Sequence, residues 1–66
     1  MRRRRVYEFG DDILMVDLNQ VQAIVTASRP NTGPTIHLTG AKVQLPIITD
    51  DNVEAWEQLI EEWMRL

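Results

Sequence analysis

The sequence predicts an α+β fold, in which a three- or four-stranded antiparallel sheet (a meander) is followed by one C-terminal amphipathic helix. Before Pro46, apolar and polar residues alternate with period two, which is typical of strands. After Asp51, apolar residues recur at spacings of three and four, which is typical of a helix. A chain of 66 residues has room for one domain. We divide it into a basic segment over 1–5, a meander over 6–47 and a helix over 51–65.

The first half of the meander is predicted to contain strands on either side of a turn and a bend. Residues 5–9 alternate apolar with charged side chains, and residues 10–12 (Gly-Asp-Asp) are typical of a turn. Residues 13–16 form a short apolar run that suits a buried strand. Residues 17–20 have poor strand propensity and should bend or bulge the chain before residues 21–26 resume a strand.

The second half of the meander is predicted to be a hairpin that follows a loop. Residues 28–34 contain two prolines, a glycine and an asparagine, which favours a loop. Residues 35–38 and 42–45 alternate apolar with polar side chains around a turn at 39–41. The alternation predicts four residues on the outward face of the sheet: Thr35, His37, Lys42 and Gln44. Pro46 should end the sheet, because proline cannot donate to a central ladder.

The C-terminal helix is predicted from its apolar face and its start signal. Asp51 and Glu54 have the spacing of a capping box. One face of the helix is apolar and carries Val53, Trp56, Leu59, Ile60 and Trp63. The two tryptophans have two interpretations: they pack against the sheet, or they form part of an assembly surface.

Composition excludes several kinds of site. The chain has no cysteine and one histidine, so disulfides and Cys/His zinc sites are ruled out. Its net charge is −3, which argues against general nucleic-acid binding. The acids are concentrated at the end of the chain, since residues 50–66 carry six acids and one arginine. No apolar run approaches the ~20 residues of a membrane span, so we expect a cytoplasmic protein.

Catalysis is not expected from these residues. His37 lies in an alternating strand without a serine nucleophile motif beside it. The pair Asp11-Asp12 suits a turn better than a metal site. No glycine-rich phosphate loop is present. We therefore expect no catalytic residues, no metal and no cofactor.

A binding role has better support, and the predicted ligand is an anion. Positive charge away from the acidic helix comes from the N-terminal arginines, Arg29 and Lys42. Arginine suits phosphate, and an aromatic ring can stack on a base. The predicted ligand-binding residues are Arg5, Tyr7, Arg29, Asn31 and His37. Because each of these features is weak alone, we expect the site to form between subunits.

Self-association is expected from the size of the chain. A domain this small, without disulfides or metal, gains stability by burying surface on copies of itself. Edge strands or apolar helix residues such as Trp63, Met64 and Leu66 could supply the contact.

Two stretches of the sequence carry a family resemblance. Residues 15–24 (MVDLNQVQAI) and 34–43 (PTIHLTGAKV) follow the pattern of an apolar strand, a loop and a hairpin that turns at glycine before a helix. Over about residues 13–62, this resembles the small β-meander-plus-helix proteins that include phage Thoeris anti-defence signal sponges. It is also similar to short FlbD-like proteins. The sponge resemblance implies a non-catalytic homo-oligomer that sequesters cyclic nucleotide or cyclic ADP-ribose immune signals between its subunits. The resemblance does not assign a ligand-binding role to any residue of this chain.

Three functions therefore stand as hypotheses. The first is a homo-oligomer that sequesters a phosphate-bearing nucleotide. The second is a regulator or adaptor that binds a protein, such as a host protein, through its helix or a sheet edge. The third is a single-stranded RNA binder, which the net charge and the low aromatic content disfavour.

Overall fold

The computed structural model describes residues 4–26 and 31–66. In those ranges the chain forms two antiparallel sheets, a short 3₁₀ turn and a C-terminal helix. The elements are β1 (Arg4–Phe9), β2 (Asp12–Asp17), the 3₁₀ turn (Leu18–Gln20), β3 (Val21–Val25), β4 (Thr35–Leu38), β5 (Ala41–Gln44) and α1 (Val53–Met64). The predicted α+β class is confirmed. The described strands number five and are divided between a β1–β2 sheet and a β3–β4–β5 sheet.

β1 and β2 form an antiparallel hairpin that pairs along its whole length. The turn uses Gly10 at φ +64°, a left-handed conformation in which glycine avoids a Cβ clash. The alternation of each strand sends Tyr7, Phe9 and Val16 inward, where all three are buried. The opposite face of the hairpin carries no covering layer from the described residues.

The predicted bend at residues 17–20 is confirmed as the 3₁₀ turn. The side-chain Oδ1 of Asp17 accepts a hydrogen bond from the backbone N of Asn19 at 3.0 Å, which caps the turn. Leu18, the first residue of the turn, is 1% exposed. Because the turn interrupts the extended backbone, β2 and β3 enter different sheets, and the single predicted meander becomes two sheets.

β4 is the central strand of the second sheet. Ile36 on β4 is fully buried, between Ile24 and Val43 in the ladder. A bulge lies between Val21 and Ala23 on β3. The predicted strand at 35–38 is confirmed, and the strand predicted at 42–45 begins one residue earlier, at Ala41–Gln44.

The chain leaves the second sheet along a backbone contact that requires glycine. The backbone N of Leu45 donates to the carbonyl oxygen of Pro34 at 2.8 Å. A Cβ on Gly33 would stand 2.0 Å from the carbonyl oxygen of Leu45. Any side chain at position 33 would therefore push the two segments apart.

α1 begins at Val53 rather than at the predicted Asp51, and the predicted capping box is wrong. Asn52 is the residue before the helix, and its side chain makes no capping bond to α1. Its Oδ1 instead accepts from the backbone N of Thr49 at 2.8 Å, and its Nδ2 donates to the carbonyl oxygen of Ile47 at 3.0 Å. These two bonds close the preceding turn and explain why a polar residue here is 5% exposed.

α1 packs its apolar face on the core. Leu59 is fully buried. Trp56 and Trp63 are half-buried against the core residues, which confirms the core-packing interpretation of the two rings. The indole Nε1 of Trp63 donates to the carbonyl oxygen of Val21 at 3.3 Å, which ties the end of α1 to β3. The buried apolar core consists of Tyr7, Phe9, Val16, Leu18, Val21, Ile36, Leu45 and Leu59.

Candidate functional site

Arg5 and Tyr7 meet on one acidic residue of the helix. The phenol oxygen of Tyr7 donates to Oε1 of Glu62 at 2.7 Å, and Nε of Arg5 donates to Oε2 of the same carboxylate at 3.3 Å. Nη1 of Arg5 also donates to the carbonyl oxygen of Arg4 at 3.0 Å. Each oxygen of Glu62 therefore has a donor from β1, and the positive charge of Arg5 has its counterion within the chain.

The pKa of the Tyr7 phenol is raised well above its ordinary value. Burial is the largest cause, because it disfavours the tyrosinate. The hydrogen bond to Glu62 and the negative charge of that carboxylate raise the pKa further, while Arg5 lowers it in part. Tyr7 therefore remains a neutral donor to Glu62.

The ring of Tyr7 is a core ring in this structure. The residue is 3% exposed, so its ring has no open face on which a base could stack. The sequence predicted an accessible ring, because alternation alone shows that Arg5, Tyr7 and Phe9 share a face but not that α1 covers it. Arg5, at the edge of the same face, remains half-exposed.

His37 lies on the outward face of the second sheet, on its central strand. In the ladder it pairs with Ala23 on β3 and with Lys42 on β5. His37 is half-buried, whereas Ala23 and Lys42 are exposed. Among the described residues, no carboxylate forms a salt bridge with Lys42, which distinguishes it from Arg5.

The next row of the same face is polar and internally bonded. Oγ1 of Thr35 donates to Oε1 of Gln44 at 3.0 Å, and Nε2 of Gln44 donates to the carbonyl oxygen of Gly33 at 2.6 Å. Val25 completes the row on β3. The outward residues described on this sheet include no acid, although the chain as a whole has ten. We call the outward residues Ala23, Val25, Thr35, His37, Lys42 and Gln44 the outer sheet face.

The other two predicted site residues belong to the loop before β4. Asn31 is exposed and has φ 64°, a conformation that asparagine adopts more readily than most residues. Arg29 lies outside the described residues. Arg5 and Tyr7 lie on the core side of the hairpin and His37 lies on the outer sheet face, so one copy of the chain does not bring these three into one cleft. Their joint role in ligand binding stays a prediction.

Two features of the surface were not predicted. The first is the role of Glu62, which helical spacing assigns to a solvated face and which in fact contacts β1. No local signal could have found it, because its partners are 55 and 57 residues away in the chain. The second is the exposure of apolar residues on the hairpin, where Val6 is 62% and Met15 is 76% exposed. Strand alternation does contain that signal, since both residues lie opposite the buried positions.

A shallow apolar groove lies at the end of the helix. It has a volume of about 550 Å³. Its lining consists of Leu18, Asn19, Val21, Trp63, Met64 and Leu66. Met64 and Leu66 are 75% and 53% exposed, so the groove opens to solvent beside the predicted assembly residues.

Residues 4–26 and 31–66 contain neither a metal-binding cluster nor a membrane-spanning helix. Those residues bring together no group of three or more His, Asp or Glu side chains that could hold a metal ion. They also include no helix that is both long enough and apolar enough to cross a bilayer.

No protein-family model, curated protein or solved structure matches the chain. The class that can be stated is therefore that of the fold, a small α+β chain in which a hairpin and a three-stranded sheet share one helix.

Proposed function

We propose that the chain is a non-catalytic binding protein that acts as a homo-oligomer and holds a phosphate-bearing, nucleotide-like anion between its subunits. The observation that supports this most directly is the cross-strand pair of His37 and Lys42 on the outer sheet face. The described residues of that face include no acid. Arg5, which was also predicted to bind the ligand, already has Glu62 as its counterion.

The chemistry of the pair suits a phosphate. Lysine supplies a compact positive charge with three donors, and the imidazole supplies one N–H donor. Charge-assisted hydrogen bonds of this kind contribute ~1.5–3 kcal/mol each. Three of them at the upper end of this range approach the ~8 kcal/mol that micromolar binding requires. A single copy offers one lysine on this face, so sharing the ligand between subunits doubles the available donors.

The neighbouring residues suit the flat part of a nucleotide. Ala23 is small, exposed and paired with His37 in the ladder. A base therefore has room beside the imidazole, on which it can stack. His37 takes the stacking role in this proposal, because the Tyr7 ring is buried.

The resemblance to anti-defence sponges adds a biological setting to the proposal. In that setting the chain is phage-encoded, acts in the cytoplasm and removes a cyclic nucleotide or cyclic ADP-ribose immune signal. The ligand is bound without being changed, which agrees with the expectation that the chain has no catalytic residues.

Calorimetric titration with a panel of cyclic dinucleotides and cyclic ADP-ribose isomers tests the ligand. For the ligand that binds, we expect Lys42→Ala to weaken affinity about 100-fold or more, since it removes one charge-assisted bond from each of the two subunits that share the ligand. Arg65→Ala is the matched control, because it removes one positive charge from a residue that already has Glu61 as its partner. That control should leave the affinity within about threefold.

Two outcomes would count against the proposal. One is the absence of heat with every member of the panel. The other is an equal loss of affinity in Lys42→Ala and Arg65→Ala, which would indicate a general charge effect instead of a site. Where a ligand does bind, Arg5→Ala shows whether Arg5 leaves Glu62 to join it.

A second candidate function, a protein-binding adaptor, is favoured by the groove at the end of the helix. Its apolar lining and the exposure of Met64 suit an apolar side chain of a partner. Binding of this kind would be lost in Met64→Glu and retained in Lys42→Ala. The two variants therefore separate the two functions in any binding measurement.

A further inference from the structure

The outward face of the β1–β2 hairpin carries an apolar centre. Val6, Ile13 and Met15 are 62%, 60% and 76% exposed. Val6 pairs directly with Met15, and Ile13 pairs with Glu8 in the next outward row. We call this surface the hairpin face. Its remaining row pairs Arg4 with Asp17.

An exposed face of this kind is unusual for a two-stranded sheet. An antiparallel sheet with one buried face normally presents polar residues on the other. Here the inner face already packs on the core through Tyr7, Phe9 and Val16, so the apolar outward residues have no role in folding one copy. No described residue of the same chain covers them.

The charges on the hairpin face are arranged so that the face complements itself. Along β1, the outward residues are Arg4, Val6 and Glu8, so a base and an acid flank an apolar centre. A two-fold axis that lies in the face and runs across the strands reverses β1. It stacks the Arg4 of each copy on the Glu8 of the other, with Val6 on Val6 and Met15 on Met15.

We propose that a second copy of this chain docks on the hairpin face, with β1 stacked on β1 in opposite directions. Sheets that pack face to face in this aligned way are about 10 Å apart, and two-fold interfaces use the same patch on both subunits. The proposal identifies a sheet face as the contact, whereas the sequence suggested edge strands or the end of the helix.

The alternative two-fold arrangement stacks β1 on β2 and brings Arg4 onto Asp17. That carboxylate already accepts the backbone N of Asn19 and caps the 3₁₀ turn. Glu8 is exposed, and the structure gives its carboxylate no partner among the described residues. The stacking of β1 on β1 therefore pairs Arg4 with Glu8, whereas the alternative leaves Glu8 opposite Ile13.

The size of the hairpin face determines how strong the contact is. Two paired strands of six residues present a face about 20 Å long and about 10 Å wide. This is smaller than the ~800 Å² per partner of a standard stable interface. We therefore expect a weak, reversible dimer whose fraction rises with protein concentration.

The inference rests on the self-association in the proposed function but not on its ligand, so its test uses protein alone. Sedimentation is measured for the native chain, for Arg4→Glu, for Glu8→Arg and for an equal mixture of the two variants. Each variant alone places like charges against each other in both rows and should dissociate about tenfold more easily at low salt.

The mixture of the two variants restores the charge pairing. In one row of the mixed dimer, the acid introduced at position 4 of one chain meets the base introduced at position 8 of the other. In the second row, the unchanged Glu8 of the first chain meets the unchanged Arg4 of the second. Both rows then pair opposite charges, so association should return to the level of the native chain.

The apolar centre is tested separately with Met15→Glu, and Ile47→Glu is the matched control. Both residues are apolar and exposed, but Ile47 lies between β5 and α1, outside the hairpin face and the outer sheet face. We expect Met15→Glu to give a monomer and Ile47→Glu to keep the native dimer, with unchanged circular dichroism in both. A dimer that survives Met15→Glu, or a mixture that stays monomeric, would overturn the hairpin face as the interface. A native chain that is monomeric at every concentration would overturn the self-association as well. Nucleotide binding by a single copy is measured separately, by calorimetry, and does not depend on these outcomes.

Discussion

Two places in the described part of the chain where a cation lies beside a ring differ in what surrounds them. Arg5 and Tyr7 lie under α1, and Glu62 supplies the counterion and the hydrogen-bond acceptor. His37 and Lys42 lie on the outer sheet face, where the described residues supply no counterion. Similar residue types therefore contribute to folding in one place and stay without a described counterion in the other. The difference comes from whether a third element covers the strand.

The largest effect that separates the two places is expected on stability. Tyr7→Ala removes a ring that is 3% exposed and should lower the free energy of unfolding by ~3–5 kcal/mol. His37→Ala, on the outer sheet face, should lower it by less than about 1 kcal/mol. Urea denaturation followed by tryptophan fluorescence measures both. Equal losses would mean that His37 is part of the folded core and not of a binding face.

A smaller effect is expected from the carboxylate that joins β1 to α1. Glu62→Gln weakens the bonds from Tyr7 and Arg5 and should cost about 1–2 kcal/mol in unfolding free energy. Glu61→Gln is the matched control, because Glu61 forms an exposed pair with Arg65 one turn further along the helix. Exposed pairs of this kind contribute about 0.5 kcal/mol or less.

Comparison with Glu61→Gln tests whether the contact of Glu62 with β1 stabilises the fold. If both variants cost the same, the contact of Glu62 with β1 would be worth no more than a surface pair. A double-mutant cycle of Glu62→Gln with Tyr7→Phe then measures the coupling between the two side chains directly.

The smallest effect is expected in the pH dependence of stability. The pKa of Tyr7 is raised in the folded chain, so the folded state holds the phenol proton more tightly than the unfolded state. The stabilisation is complete below the unfolded pKa of about 10, and it is lost as pH rises above that value, by at most ~1.4 kcal/mol per pH unit. Tyr7 is the only tyrosine in the chain, so tyrosinate absorbance follows this one group.

Tyr7→Phe should remove this slope while the rest of the pH dependence remains. A native chain whose unfolding free energy falls no faster above pH ~10 than that of Tyr7→Phe would show that the phenol ionises as freely in the folded state as in the unfolded one. The bond to Glu62 would then contribute little in solution.

Much of the fold could be predicted because its signals are local. The period-two pattern of residues 35–38 and the turn that follows depend on neighbours in the sequence, and both are confirmed. The bend at 17–20 was also predictable, but its consequence was not. The poor strand propensity of residues 17–20 is compatible with either a 3₁₀ turn or a bulge. A bulge would have kept the strands in one sheet, whereas the turn separates them into two.

The candidate site was less predictable because exposure depends on distant residues. The capping prediction at Asp51 failed because α1 begins at Val53, so the residue before the helix is Asn52. The side chain of Asn52 bonds to the backbone of Thr49 and Ile47 and not to the helix. Lys42 was placed on the outward face by alternation, and the structure agrees. Its lack of a counterion could be found only by locating the carboxylates of the described residues.

The sequence by itself determined the class of the fold, the faces of the strands and the uneven distribution of charge. These properties follow from the chemistry of each side chain and from periods of two and 3.6 residues. The tertiary structure alone decided that α1 covers Tyr7 and supplies the counterion of Arg5, and that it leaves the outer sheet face and the hairpin face uncovered. The physical reason is that burial and charge pairing join residues more than fifty positions apart, such as Tyr7 and Glu62, and no local pattern specifies which of them meet.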